Sequence, residues 1–263
     1  MDSASDQSIR ANVVAAPDCG HAVLLERLAI PIVEAPPEDA FQLVARGGAL
    51  ELRPPGESLR AGIAARFPPD AERRGPGAAR AHPLVRAFGG AALPILDLTA
   101  GLGADAYRLA EAGHRVWAVE REPVVFALLE TAWADARRTG VVPPAIAARL
   151  EFVHAEASAM LGDAADAFAA GGPIGVYLDP MYPPPRKASA LPRREIQVLR
   201  RLLAPSGDLA PLVERARARA ARVVVKRPHH APPIASGATF VVESKLVRFD
   251  VYLDPRRMGT KPA

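Results

Sequence analysis

Residues 95–105 read Ile95-Leu96-Asp97-Leu98-Thr99-Ala100-Gly101-Leu102-Gly103-Ala104-Asp105, and this stretch decides the fold. An apolar run, Ile95 to Thr99, leads into two glycines, and an amphipathic run from Asp105 to Ala112, closed by Gly113, follows. Strand, tight turn and helix in that order open a βαβ unit. Glycine lets a backbone approach a ligand closely, and the N-terminus of the following helix offers N–H groups that lack intrahelical acceptors. Arg115 to Glu120 is the next expected strand, and it ends on a carboxylate.

The alternation continues outward from there. Pro123 to Arg138 reads as an amphipathic helix with proline in its first turn, where no N–H bond is lost. Strands are expected at Leu150 to His154, Ile174 to Leu178 and Arg222 to Lys226, with helices over Ser158 to Ala170, 193–203 and 209–220. Thr239 to Glu243 and Lys245 to Leu253 are joined so closely that they must pair antiparallel. The pattern predicts a Rossmann-like α/β sheet, mostly parallel, with helices on both faces and a C-terminal antiparallel hairpin. Toward the N-terminus, Phe41 to Arg46 and Ala49 to Arg53 flank Gly47-Gly48, a hairpin signal within a small α/β subdomain. Residues 54–80 are rich in Pro, Gly and Arg and read as a linker, so residues 1–80 are expected to form the subdomain and linker and 81–263 the main domain.

Composition excludes several classes. Hydrophobic residues make up 49% of the 263 and charged residues 24%, which rules out disorder over the whole length. No apolar run is long enough to span a bilayer, and the polar Met1 to Arg10 reads as no secretory signal, so a cytoplasmic location is expected. Cys19 is the only cysteine, and His229-His230 lacks metal-ligand spacing, so neither a disulfide nor a metal site is expected. Lys plus Arg is 33 against 29 for Asp plus Glu, and only Lys187, Lys226, Lys245 and Lys261 are lysines. Arginine binds phosphate in a bidentate way, so a polyanionic partner fits.

Two acids flank the glycine turn. Asp97, at the end of its strand, can take an ammonium, and Glu120 can accept from both hydroxyls of a ribose. One acid for an amine and one for a ribose suit S-adenosylmethionine. Gly101, Gly103 and Ala106 also satisfy a relaxed dinucleotide fingerprint, so a nicotinamide dehydrogenase stands as the alternative at this point. Asp179-Pro180-Met181-Tyr182-Pro183 separates them. It follows the strand Ile174 to Leu178, so it shares the ligand rim with the glycine turn. The lone pair of an exocyclic amine on a base is delocalised into the ring. Asp179 and the carbonyl of Pro180 can accept its two N–H groups and favour the pyramidal, nucleophilic form, while Tyr182 offers a stacking face. The set is similar to the Asp/Asn-Pro-Pro-Tyr/Phe signature of amino methyltransferases, with Met181 in place of the second proline. Glu156 follows the third strand, and Arg186, Lys187, Lys226 and Arg227 read as a basic rim for phosphates.

At the level of whole motifs the chain resembles the ribosomal RNA small subunit methyltransferase J family. The resemblance rests on DLTAGLGAD (97–105), VEREPVV (119–125), VYLDPMYP (176–183), VVVKRPHHAPP (223–233) and RFDVY (248–252), and extends through Leu50-Glu51-Leu52-Arg53. It implies the class I methyltransferase sheet, S-adenosylmethionine as cofactor, and the N2 amine of a guanosine in small-subunit (16S) rRNA, free or in the 30S subunit, as target. It also implies cofactor contacts at Ala104, Asp105, Glu120, Arg121, Glu156, Ala157 and Asp179. Ala104 stands where the family has a larger polar residue, so a contact there runs through backbone. Glu156-Ala157 replaces two small hydroxyl residues, and Tyr182 replaces a Phe. A non-catalytic RNA-binding protein is the remaining alternative, and Asp179-Pro180 argues against it. On this reading Glu120→Ala should weaken S-adenosylmethionine binding by about 1–3 kcal/mol, the scale of charge-assisted hydrogen bonds. Calorimetry should detect no NAD binding, and an unchanged affinity in the variant would refute the assignment.

Overall fold

Strands buried on both faces require helices on both faces, and this chain supplies them. The protein is described by a computed structural model over residues 12–57, 62–69, 78–90, 93–180, 194–203 and 207–257. In chain order its elements are β1 (Val13–Ala15), α1 (Ala22–Arg27), β2 (Phe41–Arg46), β3 (Ala49–Arg53), α2 (Ala78–Ala81), α3 (Pro83–Phe88), β4 (Ile95–Asp97), α4 (Ala104–Glu111), β5 (Val116–Glu120), α5 (Pro123–Arg138), α6 (Pro144–Ala147), β6 (Leu150–His154), α7 (Asp163–Ala169), β7 (Gly175–Leu178), α8 (Arg194–Leu202), α9 (Ala210–Arg219), β8 (Arg222–Pro228), β9 (Phe240–Glu243) and β10 (Val247–Leu253).

The main sheet has seven strands in the order β6-β5-β4-β7-β8-β10-β9. β4 pairs in parallel with β5 and β7, and the parallel set extends to β6 on one side and β8 on the other. β10 lies antiparallel between β8 and β9, as the close link between the last two strands predicts. Strand alternation divides the core in two. Ile95, Val116, Tyr177 and Val224 face α4, α5 and α8 in one apolar cluster, and Leu96, Val119, Val176 and Val225 face α7 and α9 in the other. The chain runs from β4 to β6 on one side and then crosses to β7 on the other. The C-terminal ends of β4 and β7 therefore flank the switch point where such sheets bind ligands.

A second sheet, β1-β2-β3, carries the expected hairpin, with Arg46 opposite Ala49. Its residues Leu43, Leu50 and Leu52 join the apolar cluster of Leu128, Leu129 and Trp133 on α5. The two units thus share one core. Among the described residues no helix is long and apolar enough to cross a membrane.

Several boundaries differ from expectation. The helix expected over Ser158 to Ala170 breaks at Gly162, leaving a short turn, Ala159–Leu161, before α7. β8 runs on through Arg227 and Pro228, because β10 supplies partners there: Phe249 opposite Lys226 and Val247 opposite Pro228. The short elements β1, α1, α2, α3 and α6 were not foreseen, since runs of three to six residues carry too little periodicity.

One buried hydrogen bond joins the units. The Leu50 amide donates to Thr131 Oγ1 at 3.0 Å, and that hydroxyl donates to the Ala127 carbonyl at 2.8 Å. Thr131→Val keeps the shape and removes this acceptor, so chemical denaturation should show a loss of about 1–3 kcal/mol. A variant as stable as the parent would show that the bond contributes nothing.

Candidate active site

The turn after β4 is shaped by its two glycines. Gly103, at φ +80°, is packed: a Cβ there would lie 2.7 Å from Leu129 Cδ1 and 2.8 Å from Phe67 Cζ. Gly101, at φ +54°, faces open space, and a Cβ would approach nothing nearer than the Thr99 carbonyl at 4.0 Å. One glycine seats the turn on the core, and the other bares backbone to the crevice.

Carboxyl groups converge on this turn from β4, α4, β5 and β7. Asp97 is 1% exposed, and its Oδ1 accepts the Thr99 amide at 3.0 Å. Burial raises its pKa to about 8, reinforced by the charges of Asp105, Asp179 and Glu120 and opposed by the Thr99 N–H. Glu120 accepts the Gly101 amide at 2.9 Å on Oε2 and the Glu122 amide at 2.8 Å on Oε1. Burial lifts it to about 7 against those two bonds. Each of its oxygens keeps a second lone pair, so ribose hydroxyls can still be accepted.

Asp179 follows β7, and its amide donates to Thr99 Oγ1 at 2.6 Å. Thr99 thereby ties the ends of β4 and β7 together. Lys226 reaches across from β8, its Nζ 2.7 Å from Asp179 Oδ2 and 2.8 Å from Asp105 Oδ2. Tyr177 donates its hydroxyl to Asp105 Oδ2 at 2.7 Å, and Arg108 pairs with Asp105 Oδ1 at 2.8 Å. Burial acts to raise the Asp105 pKa, but the Lys226 ammonium, the Tyr177 hydroxyl and Arg108 hold it well below the ordinary carboxylate range. For Lys226 burial acts downward, and the charges of Asp179 and Asp105 carry it above its ordinary value.

Two of the expected rim cations have partners within the protein. Leu178 pairs with Val225, which sets Lys226 level with Asp179 and aims it inward. Arg227, one residue on, points to the opposite face of the sheet, is 7% exposed and donates to the Pro232 carbonyl. Neither offers an open cation to RNA phosphate. Arg186, Lys187 and Tyr182 lie outside the described residues. Pro180 is buried behind Asp179, and Ala104 and Asp105 open α4. Arg121 lies beyond β5 with its carbonyl 3.0 Å from His154 Nε2. Glu156 is exposed beyond β6 and, with Ala157, begins the turn toward α7. Thr99, Tyr177 and Arg108 were missed. Thr99 and Tyr177 sit inside the two quoted motifs, so position beside a motif acid was the available signal.

Comparison with known proteins identifies this arrangement. A sequence profile of the SAM-dependent methyltransferase family matches residues 24–254. The ribosomal RNA small subunit methyltransferase J of Enterobacter sp. (strain 638) is 42% identical over 214 residues, 77% of this chain and 80% of that protein. The protein of the same name from Escherichia coli O1:K1 / APEC is 41% identical over 210 residues, covering 77% and 82%. The chain belongs to the ribosomal RNA small subunit methyltransferase J family. A crystal structure of a SAM-dependent methyltransferase from Neisseria gonorrhoeae aligns with a TM-score of 0.69 at 28% identity, covering 95% of this chain and 98% of that one. The enzyme is S-adenosylmethionine-dependent, and neither a nicotinamide dehydrogenase nor a non-catalytic RNA-binding protein gains support. The residues suit such a cofactor: it carries an ammonium and a sulfonium, and the crevice offers buried carboxyl groups and the open face of Gly101.

The raised pKa of Asp97 sets a sign for stability. The folded protein holds a proton that the unfolded chain releases in the ordinary carboxylate range, so this stabilisation is complete below about pH 4 and is lost as pH rises through about 8. Asp97→Asn should therefore gain stability over the ligand-free parent as pH rises across that window, with a slope approaching ~1.4 kcal/mol per unit. Thermal unfolding across the window measures it, and a pH-independent difference would contradict the assignment.

Proposed function

We propose that the enzyme methylates the exocyclic N2 amine of a guanosine in small-subunit (16S) ribosomal RNA, free or within the 30S subunit. The observation that carries this reading is the placement of Asp179-Pro180 at the end of β7, across the switch point from the glycine turn. The name of the curated relatives supports the RNA class. An rRNA substrate puts the enzyme in the cytoplasm.

The cofactor supplies a methyl group on a positively charged sulfur. Asp97 is assigned to its ammonium, Glu120 to the ribose, and Arg121, Glu156 and Ala157 to the far end of the nucleoside. Gly101, Gly103, Ala104 and Asp105 line the approach through backbone, where first-turn N–H groups lack intrahelical acceptors. Asp179 is 33% exposed at its side chain, enough to receive an amine from the crevice. Its carboxylate and the Pro180 carbonyl accept the two N–H groups and orient the lone pair. With the lone pair held in that way, the amine would be placed to take the methyl group from a cofactor bound by these residues. The amine then loses a proton to Asp179 or to water. Tyr182 is assigned to stacking on the guanine, and Arg186 and Lys187 to the phosphates.

Mass spectrometry of rRNA nucleosides from cells with and without the gene should show one N2-methylguanosine lost, and an unchanged pattern would refute the substrate. In single-turnover assays Asp179→Asn should slow transfer roughly 10²–10³-fold, since it loses the charge that stabilises the developing positive amine. Tyr182→Ala should weaken RNA engagement by about 1–3 kcal/mol while Tyr182→Phe stays near the parent. A parental rate for Asp179→Asn would sink the mechanism.

A further inference from the structure

We infer that Lys226 is a positioning residue of the methyl-transfer site: bridged between Asp105 and Asp179, it keeps Asp179 ionised and turned so that one oxygen stays available to the target amine. The inference rests on the reading of Asp179 given above. Its ground is geometric. Nζ lies 2.7 Å from Asp179 Oδ2 and 2.8 Å from Asp105 Oδ2, so the ammonium takes up one oxygen of Asp179, whose side chain remains 33% exposed. The bridge is itself braced. Asp105 is gripped by the Tyr177 hydroxyl at 2.7 Å and by Arg108 at 2.8 Å, and the β7–β8 pairing sets Lys226 level with Asp179.

Among the described residues the groups that face Asp179 are Asp97 from β4, Asp105 from α4, Tyr177 from β7 and Lys226 from β8. Lys226 is the one cation of that set. Burial pushes the Asp179 carboxyl above its ordinary value, Lys226 opposes the push and Asp105 adds to it. Without the ammonium, burial and the Asp105 charge would act unopposed, and a proton would occupy the oxygens that must accept the amine. Lys226 is itself held in the charged form by its two carboxylates, so it takes no proton from the substrate.

The test is the pH profile of single-turnover methyl transfer to small-subunit RNA at saturating cofactor and RNA. Lys226→Met and Lys226→Gln should move the acid limb up by about one pH unit or more, with a tenfold lower rate per unit below it. Lys226→Arg, which keeps the charge, should hold the limb near the parent's. Should the Met variant fail to fold, the Gln variant decides. A parental acid limb in either neutral variant overturns the inference. So does a saturated rate that stays unchanged while the slope of log affinity against log salt drops by roughly 0.7–0.9, which would mark Lys226 as a phosphate ligand. A carbon-13 carboxyl titration of Asp179, assigned with Asp179→Asn, gives a readout free of substrate. Its midpoint should rise in Lys226→Met, and identical midpoints overturn the inference. If the parent transfers no methyl to guanine N2, the substrate reading fails by itself, and this titration still decides the role of Lys226.

Discussion

Burying several carboxyl groups at one sheet edge is costly unless a cation offsets them, and that constraint organises this molecule. Asp97, Asp105, Glu120 and Asp179 come from four different elements, yet the switch point forces them together. The chain solves half of the problem internally. Lys226 compensates Asp105 and Asp179, while Asp97 and Glu120 are left with backbone N–H groups and raised proton affinity. The uncompensated half is the half assigned to a positively charged cofactor. Internal pairing with Lys226 on one side of the crevice and backbone N–H bonds on the other divide the acids by role.

The small N-terminal sheet is part of the same construction. Phe67, from beyond that sheet, packs with Tyr107, Trp133 and Phe152, with ring centroids 5.1–5.9 Å from its own. This aromatic cluster is what closes on Gly103. The glycine turn is therefore supported from below by side chains drawn from both units, and the Leu50–Thr131 bond fixes their approach. Rigid backing lets the exposed face at Gly101 keep its shape without a ligand to hold it.

Much of this was legible in the order of residues. α5 spans Pro123–Arg138 as its proline start and amphipathic pattern imply, and the final antiparallel hairpin follows from its short link. Asp97, Glu120 and Asp179 were visible because each ends a strand in an alternating α/β pattern. The internal contacts of Lys226 and Arg227 were not legible for a definite reason. Direction along a strand alternates, so the side to which each cation points depends on how β8 pairs, and its partners β7 and β10 are remote in sequence. Tyr177 was opaque for a similar reason: a tyrosine in a buried strand reads as core until Asp105 is known to lie beneath its hydroxyl.

The same topology has a temporal side. Every acid described in the crevice precedes Lys226 in the chain, and β8 is held on its far flank by β10, which comes later still. Synthesis from the N-terminus therefore delivers the anions first and their counter-charge late. Until β8 is docked, Asp179 has no ammonium beside it and Asp105 has only Arg108 of its own helix, which favours a protonated, water-exposed Asp179 over burial. Charge neutrality within the crevice thus depends on strands made after the acids, so a later part of the chain is also what allows the earlier part to become dry.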